Sequence, residues 1–179
     1  GRLLRPLAPA VPLPRSVMVD PFEDGEPYLV AAPLPTGVAA IAAYNLTEPT
    51  VPVRGQVTPA DHRDAAGLLD TTRYAWPEAE EGLVVYDWYT DTADLLDEAW
   101  SFKLNAFEDQ LLLLCPLHNG WALIGDTEKY LCPVGIELIE ATPHSALIRC
   151  NRETQVKMWH NGFFWDLPVD PGLTRVRAR

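Results

Sequence analysis

Asp87, Asp91, Asp94, Asp97 and Glu98 fall in one short stretch and form the densest set of side chains able to do chemistry. A pair of such acids can serve a glycosidase and a string of carboxylate oxygens can hold calcium. Their spacing matches no EF-hand loop, however, and the segment reads as a solvated acidic loop. His62, His118, His144 and His160 are scattered, and His118 and His160 directly precede Asn-Gly turns, so they read as turn-flanking residues rather than ligands or bases. Cys115, Cys132 and Cys150 lie in apolar surroundings without any CxxC spacing. That argues against zinc and dithiol chemistry and favours buried free thiols in a reduced, cytoplasmic setting over a disulfide pair with one cysteine left over. A phosphate-cradling glycine loop, a GxSxG elbow and an HExxH helix are all missing from the sequence. The expectation is therefore no catalytic residue, no metal ligand and no cofactor within this chain.

Six tryptophans carry more information. Trp100, Trp121 and Trp165 fall on apolar faces and read as core. Trp159 and Phe164 face each other on a mixed face of a hairpin, and with Trp88 they are the candidates for a carbohydrate or domain interface. The competing reading is a pair covered by a loop of its own domain.

Those aromatics must be held by strands. The stretch FEDQLLLLCPLHNGWALIGD sets an apolar run against a second one across Asn119-Gly120, the strongest short hairpin signal. In that register His118 faces Trp121, Leu117 faces Ala122, Pro116 faces Leu123 and Cys115 faces Ile124. Pro116 donates no ladder hydrogen bond and calls for a bulge or an outward position. QVKMWHNGFFWDL is a second such hairpin, pairing His160 with Phe163, Trp159 with Phe164, Met158 with Trp165, Lys157 with Asp166 and Val156 with Leu167. Further strands are expected over 16–20, 28–32, 38–44, 51–57, 83–89, 99–106, 135–140, 145–150 and 173–177. Residues 38–44 are apolar at both parities, which fits a doubly buried strand, with an Ala-rich helix as the alternative. Thr58-Pro59 starts the one short helix. These many short strands with regular turns predict an all-β antiparallel β-sandwich with one short helix and a proline-rich N-terminal arm.

Size and charge bound the function. A chain of 179 residues holds one domain plus an arm, here 1–22 as arm or linker and 23–179 as the sandwich. A net charge of −11 argues against nucleic acid and anionic membrane surfaces as partners. No apolar run approaches the ~20 residues of a membrane span, and the first residues lack the apolar core of a signal peptide. Pro6, Pro9, Pro12 and Pro14 predict an extended arm that leans on a neighbour.

Four stretches, in order, resemble the C-terminal part of the raffinose synthase and alkaline α-galactosidase (seed imbibition protein) family. GRLLRPLAPAVPLPRSVMVDPFEDGEPYLVAA is similar to the segment leaving that family's TIM-type barrel, with Gly1, Leu4, Arg5, Pro12, Asp20, Pro21, Asp24 and Gly25 matching. GVAAIAAYNLTEP and VRGQVTPADH resemble its G-V-x-G-V-(F/Y)-N strand and G-x-(V/I)-x-P-x-D turn. GLVVYDWYTDTADLL with LNAFEDQLLLLCPL resembles its strand, long excursion and C-P-(I/L) strand, and ALIGDTEKYLCPVGIELIE sits where it has a glycine-rich segment. That last segment departs, reading Tyr130-Leu131-Cys132-Pro133, which points to a bacterial or otherwise divergent relative rather than a plant raffinose synthase. The resemblance implies a non-catalytic C-terminal domain of a glycosidase or galactosyltransferase. Its aspartate nucleophile and acid-base would lie upstream, about 5 Å apart across the sugar, and no residue here inherits either role. The implied partner is the chain's own catalytic barrel, and an oligosaccharide held by the aromatics is the alternative.

Overall fold

A computed structural model describes residues 8–23, 25–47, 51–69, 76, 79–130 and 132–178. It is all-β, built from antiparallel strands with two helices. In chain order the strands are β1 (Val11–Pro12), β2 (Tyr28–Pro33), β3 (Ala39–Tyr44), β4 (Val53–Val57), β5 (Leu83–Asp87), β6 (Thr92–Leu96) and β7 (Trp100–Leu104). They continue as β8 (Asp109–His118), β9 (Trp121–Gly125), β10 (Ile136–Thr142), β11 (Ser145–Cys150), β12 (Thr154–His160), β13 (Phe163–Val169) and β14 (Gly172–Arg177). Helix α1 spans Pro14–Val17 and α2 spans Pro59–Ala66.

The ten-residue β8 is the hub. One sheet of nine strands runs β1-β2-β3-β8-β9-β12-β13, with β5 also pairing with β8 and β6 with β5. Because strand side chains alternate between faces, the unbroken apolar run of β8 must be buried on both. Leu112 and Leu114 join Ile41 and Val85 on one face, while Leu113 and Cys115 join Val84 and Tyr86 on the other. Each leucine so buried stabilises the fold by roughly 1.5–3 kcal/mol.

The first face is covered by two smaller layers. The β4–β7 ribbon supplies Val53, Val57, Phe102 and Leu104, and α2 adds Ala65. Past the Asn119-Gly120 turn the same face carries Trp121, Leu123, Val156 and Met158, covered by Ile136, Ala146, Ile148 and Val176 of the β10-β11-β14 sheet. The second face is closed in its middle by the sheet's own curl, which brings Phe164 of β13 edge-on to Tyr86 of β5 at 6.2 Å. The segment after β9 then folds back and sets Cys132 into the same cluster. Gly125 permits that reversal: its φ is +106°, and a Cβ there would lie 2.2 Å from the Cys132 carbonyl oxygen.

Several elements depart from the sequence reading. The expected strand over 16–20 is absent. Pro14 presets the first helical φ, so the chain turns into α1, with Leu13 buried before it. The arm, expected to lean on a neighbour without forming an element, pairs as β1 with β2, while residues 1–7 and Asp24, which carry part of the family resemblance, lie outside the described residues. β6 lies within the segment read as an acidic loop. It buries only Leu96 and pairs through its backbone with β5, so it leaves no hydrophobic alternation to detect. The second Asn-Gly hairpin keeps its predicted register through seven pairs. In the first, only Leu117↔Ala122 and His118↔Trp121 pair. Pro116 instead sits opposite Leu83 of β5, where its missing donor is tolerated, and Cys115 opposite Val84.

Candidate functional site

Trp159 stands opposite both Ala122 and Phe164 and is only 5% exposed, so its indole is part of the core. Phe164 is half-open, but the ammonium of buried Lys157 lies 5.0 Å from its ring centroid and 5.9 Å from that of Tyr86. Lys157 pairs with Asp91 in the β5–β6 turn and with Asp166 at 3.7 Å, and the Tyr86 hydroxyl donates to Asp91 at 2.8 Å. Burial pushes the Asp91 carboxyl up, but the bonds from Lys157 and Tyr86 outweigh it and leave the group below the usual carboxylate range. Burial and then the Asp91 bond push the Tyr86 phenol far upward. Trp159, Phe164, Tyr86 and Lys157 thus form a charged, aromatic clamp that closes the curled sheet.

Trp88 belongs to a different group of rings. Its indole N–H donates to the Thr127 carbonyl at 3.1 Å, and its ring lies 4.7 Å from that of Tyr130 at 32°. Tyr89 meets it edge-on at 5.4 Å. The Tyr89 hydroxyl donates to Asp109 at 2.5 Å, and that bond, with some burial, holds the phenol up at about 12. Sheet register places Tyr28, Tyr44 and Asp109 directly abreast on β2, β3 and β8, and directly opposed residues share a face. Tyr44 and Tyr130 both lie close enough to Tyr89 to oppose its ionisation. Tyr130 is 60% exposed and Tyr89 51%. Beneath them Asp87, itself buried, accepts bonds from Gln110 Nε2 and Thr90 Oγ1, both 2.7 Å, and from the Tyr89 amide at 3.0 Å. That carboxylate fixes the turn carrying Trp88 and Tyr89. The result is a row of rings and one carboxylate across the open end of the second sheet face, with Tyr44, Tyr89 and Tyr130 exposed and Tyr28 and Trp88 half-buried.

The arm makes a second surface of other chemistry. Leu13 is buried, Ser16 Oγ accepts the Leu29 amide at 3.0 Å, and Arg15 donates to Gln56 O and Asp61 Oδ2, both at 2.7 Å. Asp61 also accepts the Thr58 amide, yet burial still holds its carboxyl above the ordinary range. On this anchored arm Val17, Met18 and Phe22 stand out at 64%, 86% and 65% exposure.

The remaining candidates resolve into structure. His62 is buried, its Nε2 2.7 Å from the Gly37 carbonyl oxygen, at the wall of a cleft of about 790 Å³ that Trp76 and Leu96 also line. Burial lowers its pKa, as it does that of His160, which stacks on Trp121 at 4.0 Å. A second cleft of about 690 Å³ lies between the arm and the β4–β7 ribbon, with Arg54 and Lys103 facing each other across the strands. All three cysteines are buried and unpaired, and burial pushes the Cys132 thiol to about 12, which leaves it protonated and unreactive at neutral pH. Among the described residues no three His, Cys, Asp or Glu side chains converge on a metal site. Asp94, Asp97 and Glu98 are exposed along and after β6.

Sequence reasoning singled out Trp88 but not its companions. Tyr28, Tyr44 and Asp109 come together only through pairing among β2, β3 and β8, and Tyr130 arrives on a loop. The fold defines an antiparallel β-sandwich whose described residues include an exposed aromatic row and an exposed apolar segment on the arm. No helix among the described residues is long and apolar enough to cross a membrane. No protein-family model matches the chain, and no curated protein shows significant similarity to it.

Proposed function

We propose that this is a non-catalytic C-terminal β-sandwich domain of a raffinose synthase/α-galactosidase-like glycoside hydrolase, packing against and supporting a TIM-type catalytic barrel. The observation that carries the reading is the set of exposed apolar side chains Val17, Met18 and Phe22 on the anchored arm. Large apolar side chains gathered in one short exposed segment are the chemistry of a protein contact, and an arm pinned by Arg15, Ser16 and Leu13 holds them in a fixed place. The motif resemblance names the partner as the chain's own upstream barrel. The glycosidic chemistry then belongs to the barrel, and the domain's work is to cover and brace it. The three unpaired, buried thiols fit a cytoplasmic setting.

The coding sequence upstream of Gly1 tests the assignment most directly. A barrel-encoding region is expected there, and a reading frame without one removes the idea. Given such a region, the separately expressed barrel is expected to co-purify with this chain. Met18→Glu together with Phe22→Glu is expected to weaken that association by about tenfold or more. The isolated chain is expected to release no chromophore from a chromogenic α-galactoside.

A further inference from the structure

We infer that the open end of the second sheet face, formed by Tyr28, Tyr44, Asp109, Tyr89, Trp88 and Tyr130, is a binding site for a neutral oligosaccharide. The inference stands whether or not a catalytic barrel precedes the chain, because it uses a surface separate from the arm patch.

Three observations carry it. First, the two central rings are held in place before any ligand arrives: Trp88 is tethered through Thr127, Tyr89 through Asp109, and the turn carrying them by buried Asp87. Rings fixed in this way lose little freedom on binding, which favours a weakly adhesive ligand. Second, the surface is amphipathic. Tyr44, Tyr89 and Tyr130 are exposed aromatic residues that carry hydroxyls, and the exposed Asp109 carboxylate lies beside them, whereas the arm patch offers only Val, Met and Phe. A pyranose has the matching character, apolar C–H groups on its faces and hydroxyls around its edge. Third, the charge is selective. Asp109 takes its hydrogen bond from the Tyr89 hydroxyl, and among the described residues no cation forms an ion pair with it. An acceptor of this kind takes a sugar hydroxyl and repels phosphate, sulfate or uronate. Tyr44 and Trp88 stand about two strand spacings apart, roughly 10 Å, so the row is long enough for more than one sugar ring.

The test is calorimetric titration of the full chain with raffinose, maltotetraose, cellotetraose and xylotetraose, with tryptophan fluorescence followed in parallel. Binding of at least one of them, with a change in fluorescence, is expected. Tyr130→Ala and Tyr44→Ala are each expected to weaken it by about tenfold, and Asp109→Asn to weaken it without disturbing the near-ultraviolet circular dichroism. Phe163→Ala, at an exposed ring on the far hairpin, is expected to leave it unchanged. Absence of binding to all four sugars at millimolar concentration overturns the inference. So does binding that survives both tyrosine substitutions, or a self-association of the chain that Tyr130→Ala abolishes, which would make the row a protein contact. None of these outcomes bears on the arm, whose own test is association with the barrel.

Discussion

Trp159 and Trp88 lie on the same face of one curled sheet and have opposite fates. Trp159 is enclosed where the sheet bends over itself, beside a lysine that is neutralised by Asp91 and Asp166. Trp88 lies where the curl opens, and its neighbours are hydroxyl-bearing rings reaching into solvent. Alternation along a strand tells which side chains share a face. It does not tell how far that face is from the next layer, and curvature decides this. The same residue type therefore acts as core at one end and as surface at the other.

The difference is broken most severely at Trp159. Trp159→Ala empties a closed space between Ala122 and Phe164 and is expected to cost about 3–5 kcal/mol, the usual range for deleting a buried aromatic. Urea unfolding followed by circular dichroism checks it. Phe164→Ala should cost less, about 1 kcal/mol, because the ring is partly exposed and contributes chiefly its edge contact with Tyr86 and its face to Lys157. A loss at Phe164 equal to that at Trp159 would mean that the clamp, rather than the enclosed volume, holds the curl shut.

Much of this was legible in the residues. Asn161-Gly162 fixes a two-residue turn, and with that turn fixed every pair of the β12–β13 hairpin follows by counting. The same logic reached only two pairs beyond Asn119-Gly120, because β8 exchanges partners along its length: β3 takes Asp109–Leu114, β5 takes Leu112–Pro116, and β9 keeps the last two residues. Local turn chemistry specifies a hairpin, whereas competition among three long-range neighbours is settled by packing. The open aromatic row shares that difficulty. Its members come from four strands or their ends and one loop, and no short-range pattern links Tyr28 to Tyr130.

Titration sharpens the contrast from both directions. In the closed parts of the molecule His62 and His160 are held below the ordinary imidazole value of 6.5 by burial. As pH falls beneath about 6.5 the unfolded chain takes up protons that the folded chain does not. Stability is therefore full above that pH and declines as the pH drops below it. Urea midpoints measured from pH 8 down to pH 5 should show the decline, and His62→Gln should flatten it. In the open region the sign reverses. The Tyr89 phenol is held up to about 12 against an unfolded value of 10.0, first by its bond to Asp109. The unfolded chain then loses this proton first, so the contribution is present below pH 10 and lost as pH rises through about 12. Phenolate absorbance should show Tyr89 titrating late, as buried Tyr86 also does, and Asp109→Asn should bring Tyr89 back toward its ordinary value.

The smallest expected effect separates the two regions most cleanly. Tyr130→Ala removes a ring that is 60% exposed and covers only one side of Trp88. An exposed side chain outside the core usually changes stability by no more than about 0.5 kcal/mol, and the same is expected here. Trp88 keeps its bond to Thr127 and its edge contact with Tyr89, so its own position should hold. Its fluorescence should nonetheless shift to the red, because water replaces the phenol over the indole face. A large loss of stability on Tyr130→Ala would show that the stacked pair is a second clamp like that of Phe164 and Lys157, supporting the loop of residues 126–130, and the open end of the sheet would then be structural. Unchanged stability with a red-shifted indole would leave the ring free for another task, since a preorganised aromatic that contributes nothing to folding is available to a ligand.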